Sequence, residues 1–234
     1  MRASRSQPYF LAIYFAIVKG IMPRGHLFKK NYIKINKISI FGGHDIEPNS
    51  DLFREVAQVA KILAQNDYTI VNGGGPGVMM AATQGAEAAG GKTLAVTFNP
   101  KSAPGFEGRY IQNSADEEIK TSNYIERMYA LMEHGQCYII FRGGTGTISE
   151  FGTAWCLARL YYGHHKPLIL YGKFWHDIVA VFYRNMILRE NDERVYRIVD
   201  SIEGVLGAIE IFDKEMASLD HTHCKVCKEK AFMR

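Results

Sequence analysis

The sequence predicts an α/β fold, a doubly wound Rossmann-like parallel sheet flanked by helices. From Lys37 onward, short apolar runs rich in β-branched residues alternate with stretches of helical spacing, and two of these runs end in glycine-rich turns. Such alternation is typical of parallel βαβ units whose strands are buried on both faces. We find no repeat or interdomain linker. We therefore predict one Rossmann-like domain over 37–217, between an N-terminal extension, 1–36, and a C-terminal His/Cys tail, 218–234.

The predicted elements follow in regular alternation along this domain. The predicted strands are 37–41, 68–71, 93–98, 136–141, 167–171 and 197–199. The predicted helices are 49–65, 78–89, 122–133, 146–161, 175–188 and 202–216. Asn49, Ser50 and Asp51 are all candidates for the N-cap of the first helix, since each has a side-chain oxygen that can accept from the first turn. Residues 99–119 contain Pro100 and Pro104 and are predicted to form an irregular surface loop.

The charge distribution argues against an extended nucleic-acid surface. Eight of the 28 basic residues lie within residues 1–37, which hold no acidic residue, and the remainder of the chain carries 20 basic against 24 acidic residues. Nucleic-acid binding depends on clustered Lys and Arg, which this mildly acidic body does not offer. We expect neither a nucleic-acid nor a membrane partner.

Cysteine usage and the first residues bear on localisation. The four cysteines do not resemble a disulfide framework, so we predict a cytoplasmic protein. The apolar stretch 9–18 leaves three interpretations open: an appended or misassigned start, a membrane-touching amphipathic segment, or a signal peptide. No small-x-small cleavage pattern follows it, and Met22 is an alternative start.

The sequence 142–150, RGGTGTISE, predicts a phosphate-binding strand–loop–helix turn. Glycines let the backbone approach a ligand closely, and free N–H groups at a helix N-terminus favour an anion. The Thr145 and Thr147 hydroxyls can donate as well. The predicted phosphate ligands in this turn are Arg142, Gly143, Gly144, Thr145, Gly146 and Thr147.

Two charged residues near this turn each have a functional and a structural interpretation. Glu150 lies one turn into the helix, where it either complements the helix dipole or faces the sugar that carries the phosphate. Arg127 lies on the helix before strand 136–141 and is, by periodicity alone, either a solvated charge beside Glu126 or a site residue.

A second glycine-rich turn, 73–77, follows strand 68–71 and lies at the same predicted edge of the sheet. It lacks the Gly-Lys-Ser/Thr of a Walker loop and the G-x-G-x-x-G of a dinucleotide fingerprint, which makes a nicotinamide dehydrogenase improbable. The nucleotide-binding candidates here are Gly74, Gly75, Gly77 and Met79.

Taken together, the 73–79 turn, Arg127 with Met132, and the 143–150 turn resemble the Lonely Guy (LOG) family, whose signature is P-G-G-x-G-T-x-x-E after an arginine-bearing helix. The segment 165–168 also resembles the family's H-x-K-P. The resemblance covers about residues 37–211 and implies hydrolysis of the N-glycosidic bond of a nucleoside 5′-monophosphate. AMP or an N6-modified AMP of the cytokinin type would be the substrate. Glu150 and Arg127 would then be catalytic, no cofactor or metal would be needed, and a homodimer or larger homo-oligomer would be expected.

The sequence departs from the family pattern at several positions. Arg142 replaces the first proline, either as an extra phosphate ligand or as a cap on the strand end. Ser149 replaces a frequent glutamate, Met128 follows Arg127 where lysine is usual, and 42–44 reads Gly-Gly-His in place of Gly-Ser-Ser. A non-catalytic nucleotide-binding or carrier protein of the same superfamily is the alternative function, and a single-stranded-DNA-binding Rossmann module is disfavoured by the acidic body.

The histidine and cysteine residues in 221–227 offer potential zinc ligands, of which Cys224 and Cys227 form the best pair. Because ligands so close together cannot easily surround one ion, we predict an unliganded tail. An intramolecular zinc site and a metal shared between subunits remain the alternatives. The loop residues His164 and His165 are expected to face solvent.

Overall fold

Seven parallel strands form one sheet in the computed structural model, which describes residues 34–99 and 109–218. The strand order is β4-β3-β2-β1-β5-β6-β7, and every neighbouring pair is parallel. The strands are β1 (Lys37–Phe41), β2 (Thr69–Asn72), β3 (Thr93–Phe98), β4 (Glu117–Thr121), β5 (Cys137–Ile140), β6 (Leu168–Tyr171) and β7 (Tyr196–Val199). The predicted doubly wound α/β fold is confirmed.

Within the described residues, six α-helices cover the two faces of this sheet. They are α1 (Asp51–Gln65), α2 (Val78–Glu87), α3 (Tyr124–His134), α4 (Thr145–Leu160), α5 (Phe174–Asn185) and α6 (Ile202–Ser218). Buried residues of α1, α2 and α6 share one hydrophobic cluster, and those of α3, α4 and α5 share the other. Alternate residues along β5 divide between the clusters, Ile139 joining the first and Ile140 the second, because neighbouring strand side chains point to opposite faces.

Local capping explains where two of the helices begin. Among the three predicted candidates for the first N-cap, Ser50 takes the role, and its side chain accepts from the backbone N–H of Phe53 at 3.3 Å. At α3, Asn123 Oδ1 accepts from the N–H of Glu126, whose carboxylate accepts in return from the N–H of Ser122. The backbone hydrogen bond from Ser122 lowers the pKa of Glu126. The carboxylate of Glu126 therefore caps the start of α3, and these capping hydrogen bonds do not involve its neighbour Arg127.

The prediction of an irregular loop over 99–119 is wrong at its end, because β4 runs from Glu117 to Thr121. This strand lies at the edge of the sheet and exposes most of its residues, so it carries the charged sequence EEIKT and no apolar run. Edge strands are commonly charged because unpaired apolar edges promote aggregation. The pattern that identified the central strands is therefore missing from this one.

The described residues also bear on the limits of the domain. Ile35 is 1% exposed within the first cluster, and its N–H donates to Asp213 Oδ1 at 3.3 Å, so the packed core extends two residues before the predicted start. The stretch 9–18 and the tail 221–227 lie outside the described residues. The interpretations of both segments stay predictions.

The sheet reverses its winding between β1 and β5. After β4, at one edge, the chain returns through α3 to pair β5 with β1, and it then continues outward to β6 and β7. The connections on either side of this point lead away in opposite directions, which opens a crevice at the carboxyl ends of the strands. Both glycine-rich turns and Glu150 lie at this edge.

Candidate active site at the carboxyl edge of the sheet

Three turns meet where β1, β2 and β5 end. The turn after β1 is central: the N–H of Gly43 donates to the carbonyl of Arg142 at 3.0 Å, and the carbonyl of Gly43 accepts from the N–H of Val78 at 2.9 Å. Gly43 thus joins the Arg142 turn to the start of α2. These two backbone hydrogen bonds fix the relative positions of all three turns.

The turn after β5 presents the N-terminus of α4. Gly144 is the N-cap, has no side-chain capping hydrogen bond, and accepts from the N–H of Ile148 at 3.1 Å. The helix begins at Thr145, one residue earlier than predicted, so Thr145, Gly146 and Thr147 lie in its first turn. Helical N–H groups without an intrahelical acceptor give this end a positive potential suited to an anion.

A cavity of about 160 Å³ lies in front of this helix end. Residues 144–147 line one side, Gly73 and Met79 line another, and both predicted catalytic residues, Arg127 and Glu150, reach it. Glu150 is 8% exposed and Arg127 is 5% exposed. The structure therefore brings a buried carboxylate and a buried guanidinium to the cavity that the helix end faces.

The guanidinium of Arg127 is held by backbone carbonyls. Its Nε donates to Val96 at 3.0 Å, and its Nη2 donates to Gly73 at 3.0 Å and lies 3.5 Å from Met79 Sδ. A Cβ on Gly73 would overlap the guanidinium, so the absence of a side chain there makes room for Arg127. Arg127 is not a solvated helix charge. It belongs to the site.

A buried polar network supports the turn after β2. Asn72 Oδ1 accepts from the N–H of Gly74 at 2.8 Å, and its Nδ2 donates to Thr83 Oγ1 at 2.9 Å. Asn113 accepts from Thr83 Oγ1 at 2.8 Å and donates to the carbonyl of Gly75 at 2.9 Å. All three side chains are fully buried. Because buried polar groups are costly unless paired, this network fixes the path of the turn.

Residues 35–193 match the SLOG cluster4 family. The chain belongs to this family. It is also 32% identical over 130 residues to the cytokinin riboside 5′-monophosphate phosphoribohydrolase of Mycobacterium tuberculosis. That match spans 55% of this chain and 66% of the relative, just under two thirds of the relative's length. The resemblance to the LOG family drawn from the two turns and Arg127 is confirmed.

Solved structures show the same fold. One is the molybdenum cofactor binding protein of Rippkaea orientalis, with 21% identity and a TM-score of 0.58, covering 77% of this chain and 98% of that one. Another is the molybdenum cofactor carrier protein of Chlamydomonas reinhardtii, with 19% identity and a TM-score of 0.55, covering 79% and 100%. At these identities the likeness concerns the fold.

Several predicted ligands of this SLOG cluster4 chain lie beside the cavity and do not line it. Gly74, Gly75 and Gly77 shape the turn after β2, and Gly143 packs against the turn after β1. The guanidinium of Arg142 lies over the ring of Phe174, 4.6 Å from its centroid. In this position Arg142 contacts the start of α5, and not the cavity. Gly144, Thr145, Gly146, Thr147 and Met79 do line it.

Two lining residues with polar side chains, His44 and Tyr124, were not predicted from the sequence. His44 follows the Gly42-Gly43 turn. Its side chain is about half exposed, and Nε2 lies 3.0 Å from Asp45 Oδ1. Tyr124 begins α3, with its hydroxyl 3.4 Å from Ser149 Oγ. The position of His44 directly after a strand and a glycine pair was the available signal. Nothing local distinguished Tyr124.

The far side of the SLOG cluster4 domain holds a different feature, at the start of β6. His165 is 5% exposed, so the expectation that it faces solvent is wrong; its ring stacks on Tyr162. Lys166 donates from Nζ to the carbonyls of Met132 and Glu133, both at 2.7 Å. Burial lowers the pKa of Lys166 to about 8. The segment that resembles H-x-K-P therefore binds the C-terminal end of α3.

The described residues contain neither a membrane-spanning helix nor a group of metal ligands. Over 34–99 and 109–218, no helix is long and apolar enough to cross a membrane. Within the same ranges, no three or more His, Cys, Asp or Glu side chains are grouped as metal ligands would be.

Proposed function

We propose that this protein hydrolyses the N-glycosidic bond of a nucleoside 5′-monophosphate and releases the free base and ribose 5-phosphate. One observation carries the proposal: buried Glu150 and buried Arg127 reach the same cavity as the N-terminus of α4. A helix end binds the phosphate, and a carboxylate one turn further along that helix is placed to act on the attached sugar.

In the proposed reaction, water attacks C1′ of the ribose while the bond from C1′ to the base nitrogen breaks. The base leaves with the electron pair of that bond and takes up a proton. The transition state resembles a ribosyl oxocarbenium ion, which the Glu150 carboxylate stabilises while it accepts a proton from the attacking water. The guanidinium of Arg127, held rigidly by Val96 and Gly73, donates to the ribose phosphate or to the departing base.

The substrate class is supported by the relative from M. tuberculosis, whose name states that it acts on a cytokinin riboside 5′-monophosphate. We propose AMP or an N6-modified AMP as the substrate. Met128 and Ser149 depart from the LOG motif, so the base preference of this chain is determined with a substrate panel.

The test is release of base from a panel of nucleoside monophosphates, measured by chromatography. Glu150→Gln should reduce the rate by at least about 100-fold, in line with losing a general base. Glu203→Gln, which changes an exposed first-turn carboxylate on α6, is the matched control and should retain full activity. If the wild-type chain binds AMP but releases no base from any nucleotide, the protein is a nucleotide carrier and the proposed reaction is rejected.

We further propose that the protein works as a homodimer or larger homo-oligomer in the cytoplasm. Apolar side chains protrude from α4 and the segment after α5: Ile148 is 59% exposed, Leu160 70% and Ile187 fully exposed. Exposed apolar residues of this size favour coverage by a second copy. Of the described cysteines, neither Cys137 nor Cys156 forms a disulfide, which suits a reducing compartment. Light scattering of the full chain should give at least twice the mass of 26.4 kDa.

A further inference from the structure

The cavity is lined by one partly exposed histidine, His44, that the proposed reaction does not use. Of the described residues that line it, only Arg127 and His44 can carry a positive charge. Arg127 is buried and donates to two carbonyls, whereas the side chain of His44 is 45% exposed. The two residues therefore lie at different depths of the same site.

The surroundings of His44 connect it to the phosphate end of the cavity. The preceding residue, Gly43, donates to the carbonyl of Arg142, and a Cβ on Gly43 would lie 3.3 Å from Gly143 Cα. The backbone carbonyl of His44 itself packs against Gly77, at the start of α2. His44 is thus anchored between the two glycine-rich turns, and it lines the cavity together with residues 144–147.

Asp45 orients the imidazole ring of His44. Its Oδ1 lies 3.0 Å from Nε2 of His44, within hydrogen-bond distance. The arginine predicted as a phosphate ligand, Arg142, has its guanidinium over Phe174 and does not line the cavity.

We propose that His44 is a phosphate-binding residue of this site, and that it selects nucleoside 5′-monophosphates over uncharged nucleosides. This inference rests on the proposed function for its ligand. Because α4 supplies backbone N–H donors and His44 supplies a side-chain donor, the phosphate is held from two sides. The sugar and base then extend toward Glu150 and Arg127.

The experiment measures dissociation constants for AMP and for adenosine by calorimetry, with the full chain. All variants carry Glu150→Gln, so that no ligand is consumed during the titration. His44→Ala should weaken AMP binding by about 10- to 100-fold, the worth of one hydrogen bond to a charged group. Binding of adenosine should stay within about twofold, since adenosine lacks the phosphate.

Two further variants separate a binding role from a structural one. His176→Ala removes an exposed histidine on α5 and should change neither affinity. His44→Gln keeps a hydrogen-bond donor without the imidazole ring, and its affinity for AMP should fall between those of wild type and His44→Ala. Equal losses for AMP and adenosine in His44→Ala, no loss for either, or no binding of AMP to the parent chain would each overturn the proposal.

The results also distinguish this proposal from the reaction on which it rests. If the wild-type protein releases no base but His44→Ala weakens AMP binding, the phosphate role of His44 stands and only the proposed hydrolysis is rejected. If the wild-type protein releases base but His44→Ala leaves AMP binding unchanged, the hydrolysis stands and the phosphate role of His44 is rejected.

Discussion

Arg127 Nη2 donates to the carbonyl of Gly73 at 3.0 Å, across 54 residues of sequence, and the space that a Gly73 side chain would fill is occupied by the same guanidinium. The turn after β2 therefore serves the site by accommodating and orienting Arg127. Its glycine is required by a side chain from another element, and not by an unusual backbone angle.

Gly73→Ala should displace Arg127 and abolish most activity. We expect kcat/KM for the best substrate to fall by at least about 100-fold, since a displacement near 1 Å in a catalytic group has that effect. Gly207→Ala is the control, because a Cβ there meets nothing within 4 Å. In the interior of α6 it should stabilise the fold by about 0.5–1 kcal/mol. Unchanged activity in Gly73→Ala would show that Arg127 has no defined role.

Arg142→Ala should leave nucleotide affinity nearly unchanged. Its guanidinium contacts the Phe174 ring, so its loss removes a cation–π contact worth about 0.5–1 kcal/mol of stability at an exposed site. We expect the dissociation constant for AMP to stay within about threefold. A tenfold or greater weakening would show that Arg142 turns to the ligand, which is the alternative that the sequence left open.

Two departures from the LOG motif are in contact, because Ser149 Oγ lies 3.6 Å from Met128 Sδ. Met128→Lys alone places an ammonium beside a hydroxyl, and Ser149→Glu alone places a carboxylate beside a thioether. The free energy of unfolding of the double variant should exceed the value predicted by adding the two single changes by about 0.5–3 kcal/mol, as expected of neighbouring residues. Urea unfolding of all four proteins measures this coupling, and strict additivity would contradict it.

Lys166 should make stability depend on pH in the alkaline range. Burial lowers its pKa to about 8 in the folded state, against about 10.4 in an unfolded chain. Between these values the unfolded state binds more protons, so the free energy of unfolding rises with pH through this window. Relative to Lys166→Met, the wild type should gain up to about 3 kcal/mol between pH 7.5 and 10.5.

The control for this prediction is Lys61→Met, at an exposed position of α1. Its free energy of unfolding should run parallel to that of the wild type across the same pH range. If Lys166→Met also runs parallel, the ammonium of Lys166 is not destabilised by its surroundings.

The parts of the fold that the sequence predicted well depend on local pattern. The central strands are continuous apolar runs, α1 has apolar residues at helical spacing behind the Ser50 cap, and both glycine-rich turns follow strands directly. Each signal is contained within about 15 residues and can be recognised without knowing which other elements pack against that segment. Strand β4 lacks such a pattern because only its position at the sheet edge makes it a strand.

The candidate site was predicted in part for the same reason. Glu150 and residues 144–147 belong to one short segment, whereas the direction of Arg127 depends on carbonyls of Val96 and Gly73. Asn113 resembles an ordinary loop residue in the sequence, yet it is fully buried against the β2 turn. Contacts between residues far apart in the chain produce no periodic pattern in the sequence, so they could not be predicted from it.

The two hydrogen bonds of Gly43 use only main-chain atoms, its N–H toward Arg142 and its carbonyl toward Val78. A link of this kind does not depend on which side chain follows, so substitution cannot remove it as long as the chain keeps its path. Relatives can therefore exchange the residues of the first turn, as His44 here stands where the LOG motif has serine, without disturbing the spacing of the three turns. The side chains at the edge of the cavity can therefore diverge while the arrangement of the three turns is kept.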